Sequence, residues 1–363
     1  MNGSGEPRSE GVGEEEGRGH GRRLPLPGMA EGSQESDEDA SETIADVAVP
    51  ATDGPLQRLI PQGGAGVPLA AAAADVAAHG SRYTARTQMS TVLAYHLIER
   101  DDVIPDLLLD EFHRLLDRPR GSLYVDPGPV LASWLRTGGR PSTASTSEPA
   151  AVVHPLGVWF FDDVEGLVTS VTTIAAMMTS DAPSITTAGI AAGAVAAASH
   201  MMTGRDLVLG AAEVGAAVVE RLEQQDRLHE LAAARSIPAA MDDVKRAVGS
   251  THLEIESLLA RAGVPDSVLP VLEGIVAASA PLDPIERIEV GVDLGSDAAV
   301  VVGAMVGGQT GLRRWPWRVA NETWFAEIGR RMEAGTREIG DLPIPFAVEE
   351  RMRAVTASES EPP

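Results

Sequence analysis

Apolar side chains recur at three- and four-residue spacing along much of residues 66–334, the period of helices packed against a core. "TARTQMSTVLAYHLIERDD" (84–102) sets Met89, Val92, Leu93, His96 and Leu97 on one stripe. "DVIPDLLLDEFHRLLDRP" (102–119) repeats the pattern with Leu108, Leu109, Phe112, Leu115 and Leu116, and Pro119 ends it. The Ala-rich "GVPLAAAAADVAAHG" (66–80), bounded by glycines, predicts a further helix, and the same signals place others over 162–179, 186–203, 206–234, 251–262, 268–279, 297–312 and 321–334. No stretch alternates apolar and polar residues as a strand does, and no fixed-length repeat occurs. The fold class read from the pattern is all-α, with roughly eight to ten helices around a core.

The pattern stops at both ends. Residues 1–55 are Gly, Ser and acidic residues with almost nothing to bury, which predicts a disordered tail. Residues 56–340 form the helical domain, and 341–363, ending in "TASESEPP", are expected to be a second tail. The stretch "TGGRPSTASTSEPA" (137–150) reads as a loop.

Composition narrows the functions. Of the 363 residues 4% are aromatic, so the helices must pack through small side chains. The net charge is −24 and pI about 4.6, which argues against nucleic acid and against an anionic membrane surface, both of which need a basic face. With no cysteine, disulfides, zinc thiolates and thiol nucleophiles are excluded. The most apolar run, 187–202, is short and Ala/Gly-rich and reads as a buried helix rather than a membrane span. No leader-like segment stands out, and the expected location is the cytoplasm.

Four segments, in order, carry a resemblance: "YTARTQM" (83–89) with the helix pair that follows, "HPLGVWF" (154–160), the helix pair of 167–198, and "GVDLGSDAAVVVGAM" (291–305). Together they resemble the ADP-ribosylglycohydrolase family over about 60–335. The resemblance implies an all-α domain with a central cleft. There, two Mg²⁺ held by carboxylates and Thr/Ser hydroxyls bind ADP-ribose, and water cleaves its glycosidic link. By position it assigns Thr84, Arg86, Thr87, His154, Asp293 and Ser296 to the cleft, and Thr87, Asp293 and Ser296 to what survives of the metal set. Where the family motifs supply aspartates, this chain has Ala85, Arg86 and Gly295, and Asp75 is the lone echo of the family's opening helix.

A resident guanidinium a few Å from a divalent ion is repelled by several kcal/mol at an effective dielectric near 20. The expectation is therefore a degenerate magnesium site with Arg86 filling the gap and paired to Asp293. Magnesium then enters by family resemblance only. The ligand implied is ADP-ribose or something nucleotide-like, or a protein partner. The competing reading is a divergent hydrolase that cleaves N- or O-glycosidic bonds of ADP-ribosylated substrates with one magnesium or none. Alternative roles are weighed for several residues. Ser296 also suits a helix N-cap with Asp297 at the positive helix end, His96 and His200 suit the core, and Trp315, Trp317 and Trp324 suit packing better than ligand stacking.

Overall fold

The structure, a computed structural model, describes residues 63–116, 121–225, 231–335 and 339–360. The expected N-terminal tail, residues 1–55, and the helix stop at Pro119 lie outside them. The described residues form α-helices with a single isolated β-bridge, Ser142–Thr179. The helices are α1 (Val67–His79), α2 (Ala85–Arg100), α3 (Pro105–Leu116), α4 (Pro129–Arg136), α5 (Glu148–Trp159), α6 (Val164–Met178), α7 (Ala182–Ser199) and α8 (Gly204–Gln224). They continue with α9 (Leu231–Val244), α10 (His252–Arg261), α11 (Leu269–Ala278), α12 (Pro284–Leu294), α13 (Ser296–Thr310), α14 (Glu322–Glu333) and α15 (Pro345–Ser360). The all-α reading holds, with more helices than the sequence suggested. The short α4 and the whole of α12 carry too brief an apolar period to stand out, and 206–234 is two helices rather than one.

Small residues set the spacing at the centre. α13 packs against α1, α7, α11 and α12. A Cβ added at Gly303 would lie 2.6 Å from Ala74 Cβ and 2.7 Å from the Ala70 carbonyl, and one at Gly307 would lie 2.5 Å from the Gly66 carbonyl. Gly157 of α5 meets α7 as closely, 2.3 Å from the Ala192 carbonyl. Every residue of α7 from Ala182 to Ala198 is buried. That helix is long and apolar enough to cross a membrane, but 94% of it is buried inside this molecule. Outer helices such as α3, α4 and α14 put one apolar face inward and keep the other polar.

Ends are fixed by side chains. Asp163 and Asp181 cap α6 and α7 by accepting from Gly166 N and Ser184 N, and capping boxes open α10 and α12. The 341–363 stretch, expected as a tail, instead carries α15, which docks through buried Val348 and Glu349. Glu349 accepts hydrogen bonds from Tyr83 Oη (2.8 Å), Arg82 Nη2 (2.9 Å) and Gln88 Nε2 (2.6 Å), and Gln88 in turn accepts from Val125 N at 2.8 Å. One carboxylate thus ties α15 to the N-terminus of α2 and to the loop before α4.

Close helix contact at Gly303 should be sensitive to a single methyl. Gly303→Ala is expected to lower the unfolding free energy by about 1–3 kcal/mol through overpacking. Gly210→Ala in α8 meets only Ala197 Cβ at 3.6 Å and Met202 Cε at 3.9 Å. It should be neutral or stabilising by about 0.5–1 kcal/mol, since alanine outranks glycine in a helix. Urea denaturation of the two variants checks the contrast.

Candidate functional site

The C-terminus of α1 and the N-termini of α2, α5 and α13 meet at one polar cluster. Its deepest member is Asp75, which is 0% exposed. It accepts from Thr84 N (2.7 Å), Thr84 Oγ1 (3.0 Å) and Thr87 Oγ1 (2.6 Å), so it caps α2 from outside that helix. Thr84 is the N-cap residue, yet its hydroxyl is committed to Asp75 rather than to its own helix. His79, one turn beyond Asp75 in α1, places Nδ1 3.1 Å from Asp75 Oδ1. The hydrogen bond that the ring donates to the Asp75 carboxylate is the main reason the His79 pKa is raised above the usual histidine value.

A second set surrounds Arg86. Its Nε donates to Asp297 Oδ1, and Ser147 Oγ donates to Asp297 Oδ2 at 2.6 Å. Arg86 Nη1 reaches the Asp126 carbonyl at 3.4 Å. Glu148 lies on the far side: a Cβ added at Gly128 would sit 2.5 Å from Glu148 Oε1 and 2.9 Å from Arg86 Nη2, so both groups press on that glycine. Burial opposes the charge on Arg86, but Asp297, Glu148 and Asp75 outweigh it and raise its pKa. Glu148 is buried and accepts from Val130 N (3.1 Å) and Leu131 N (2.6 Å), capping α4 from a distance. Burial is the main cause that pushes its pKa up, with Asp297 adding to it and Arg86 opposing. Ser147 and Glu148 are held in place by the bridge at Thr179, where Ser180 N donates to Ser142 O at 2.7 Å, and by Thr146 N on Ser184 Oγ at 2.8 Å.

The residues expected from sequence fall into two groups. Thr84, Arg86, Thr87 and Ser296 come together here. Asp293 does not: it is exposed in the last turn of α12, and Arg86 pairs with Asp297 instead. The reason is Gly295, whose φ of +117° makes a sharp turn between α12 and α13, so that the residues after it face α2 and those before it face away. Nor is Ser296 an N-cap. Gly295 holds that position without a side-chain bond, and Ser296 Oγ lies 3.2 Å from His79 Nε2. His154 is buried behind the cluster and donates Nδ1–H to the Ala151 carbonyl at 2.9 Å. Burial lowers its pKa to about 4. His96 is a satisfied core histidine between Glu111 and Ile104 N, and Trp324 packs on Phe325 with its indole N–H on the Pro343 carbonyl. Sequence reasoning missed His79, Asp126, Ser147 and Glu148. A signal existed for one of them, since Asp75 and His79 at i,i+4 share a helix face.

The family model for ADP-ribosylglycohydrolase matches residues 35–341. The chain belongs to the ADP-ribosylglycohydrolase family. No curated protein matches it. The matched span ends before α15, so the helix that anchors Arg82, Tyr83 and Gln88 lies beyond the part that matches the family. The family implies magnesium, and the residues present fit it poorly. Among the described residues no group of three or more His, Asp or Glu side chains is arranged to hold a metal ion, and Asp297 is already paired with the Arg86 guanidinium, whose charge also acts on Glu148.

His154 gives this cluster a pH dependence with a definite sign. Its folded pKa is near 4 and its unfolded pKa about 6.5, so the unfolded chain binds more protons between those values and stability rises with pH across that window. From pH 7 to pH 5 the histidine should cost about 2 kcal/mol. Urea titrations at the two pH values should show a smaller loss in His154→Gln than in the parent chain.

Proposed function

We propose that this family member keeps its cleft as a binding site for an ADP-ribosyl or nucleotide-like ligand and has lost the two-magnesium hydrolytic chemistry. The observation that carries the reading is the Arg86 guanidinium between Asp297 and Glu148, in a motif position where the family supplies an aspartate. Two magnesium ions bring four positive charges and need several carboxylates to offset them. A fixed cation in the same space reverses that balance, and the repulsion it adds is several kcal/mol at an effective dielectric near 20. The partly exposed polar groups at the rim of the cluster, Ser296, His79 and Asp126, suit recognition of a hydroxyl-rich ligand. On this reading α15 keeps the α2 end of the cleft in shape without metal, because Glu349 fixes Tyr83 and Gln88 on either side of Thr84, Arg86 and Thr87.

Calorimetric titration of the full chain with ADP-ribose, with and without Mg²⁺, tests this. Binding is expected in the absence of metal and unchanged by it, and millimolar Mg²⁺ alone should leave the melting temperature within about a degree, since only a ligand of the native state raises it. Binding that requires Mg²⁺, or a rise of several degrees with Mg²⁺ alone, would overturn the reading and favour an active hydrolase. Absence of binding under both conditions would overturn the ligand assignment.

A further inference from the structure

The far end of α13 carries a second polar feature. Thr310 closes that helix about 20 Å from Ser296, at 1.5 Å per residue. A turn at Gly311, with φ of +67°, then leads into "LRRWPWR" (312–318). Between this loop, α1 and α14 lies a hollow of about 340 Å³. Leu69 and Ala326, both buried, and the half-buried Leu312 supply its apolar lining.

Charge sets the hollow apart. The chain as a whole carries −24, yet here Arg313, Arg314 and Arg330 face a single lining carboxylate, Glu322. Arg330 is partly engaged, since its Nη1 donates to Glu327 Oε2 at 3.1 Å. Arg313 and Arg314 have no hydrogen-bond or ion-pair partner among the described residues. Arg313 Cζ instead lies 4.9 Å from the centroid of the Trp315 ring, which is only 8% exposed. Stacking of that kind steadies a guanidinium without neutralising it. The N-terminus of α14 opens on the same hollow through Glu322 and Thr323. Its N-cap residue, Asn321, has φ of +62° and makes no side-chain bond to the helix. The first N–H groups there with a backbone acceptor are those of Trp324 and Phe325, both on the Asn321 carbonyl at 2.9 and 3.2 Å. The positive end of a 12-residue helix therefore adds to the field of the arginines.

We propose that this hollow binds an organic phosphate monoester, with the phosphoryl group at Arg313 and Arg314 and the apolar body of the ligand against Leu69, Leu312 and Ala326. Two guanidinium groups without partners match the charge of a phosphate dianion, and their planar forks suit its oxygens. A wall of aliphatic carbon beside that charge favours an organic phosphate over the bare ion, and the volume is that of a small-molecule site. The hollow lies at the opposite end of α13 from Asp75 and Arg86, so it does not rest on the ligand assigned to the cleft.

The test is calorimetric titration of the full chain with phenyl phosphate, with inorganic phosphate and benzoate as comparisons. One saturable site is expected for phenyl phosphate, tighter than for either comparison, with a Kd that rises as NaCl goes from about 50 to about 500 mM. Neither Arg313 nor Arg314 is buried, so the double variant Arg313→Gln/Arg314→Gln should keep the parent's melting temperature. It should weaken phenyl phosphate binding by about tenfold or more, the usual weight of a charge-assisted contact. Binding of ADP-ribose should not change in that variant. No saturable binding, or equal affinity in the double variant, would overturn the proposal. Inorganic phosphate binding as tightly as phenyl phosphate would overturn the role of the apolar wall. Loss of ADP-ribose binding in the double variant would overturn the independence of the two sites, whereas a parent chain that binds phenyl phosphate but not ADP-ribose would sink the cleft reading alone and uphold this one.

Discussion

Three carboxylates, Asp75, Glu148 and Asp297, converge beneath the N-terminus of α2, and the way each is compensated shapes everything around it. A buried carboxylate without partners would cost several kcal/mol. Asp75 is met by donors: one backbone N–H, two hydroxyls and an imidazole. Glu148 is met by two backbone N–H groups and by the field of Arg86. Asp297 is met by the Arg86 guanidinium and the Ser147 hydroxyl. Because Arg86 is taken up by Asp297, Asp75 takes its hydrogen bonds from the threonines and sits against His79. That division separates a charged half of the cluster from a hydrogen-bonded half.

The convergence itself is a packing result. α1 and α13 approach closely only because Gly303 and Gly307 face Ala70 and Ala74, and that approach brings His79 at the end of α1 to Ser296 at the start of α13. α5 reaches the same place through Gly157 against α7, which carries Ser147 and Glu148 to the other side of Arg86. Small residues in the core and polar residues at the helix ends are therefore one design. Bulk added along α13 would displace the site as well as destabilise the core.

The helices with long apolar stripes were legible in the sequence, because a three- to four-residue period needs no knowledge of neighbours. Thr84, Arg86 and Thr87 were legible too, since they sit within a single motif at the start of α2. The partner of Arg86 was not. Asp293 and Asp297 are four residues apart, and which of them faces α2 depends on the backbone turn at Gly295, a property of one φ angle that the pattern of residue types does not encode. Glu148 and Glu349 were hidden for a different reason. Each acts on groups far away in sequence, Glu148 on Val130 and Leu131 and Glu349 on Arg82, Tyr83 and Gln88, so no local spacing announces it.

Arg86 compensates part of this cluster with a charge that belongs to the chain itself. An exchangeable ion compensates carboxylates only when it is bound, and the folded state then depends on its concentration. A guanidinium is covalently present, stays charged at any ordinary pH, and offers several N–H donors in a rigid fork, so Arg86 can bond Asp297 and the Asp126 carbonyl while its charge acts on Glu148. Asp75 Oδ1 lies 3.1 Å from His79 Nδ1, and His79 Nε2 lies 3.2 Å from Ser296 Oγ. The fixed charge of Arg86 and the hydrogen bonds that converge on Asp75 thus divide the compensation of the cluster between them.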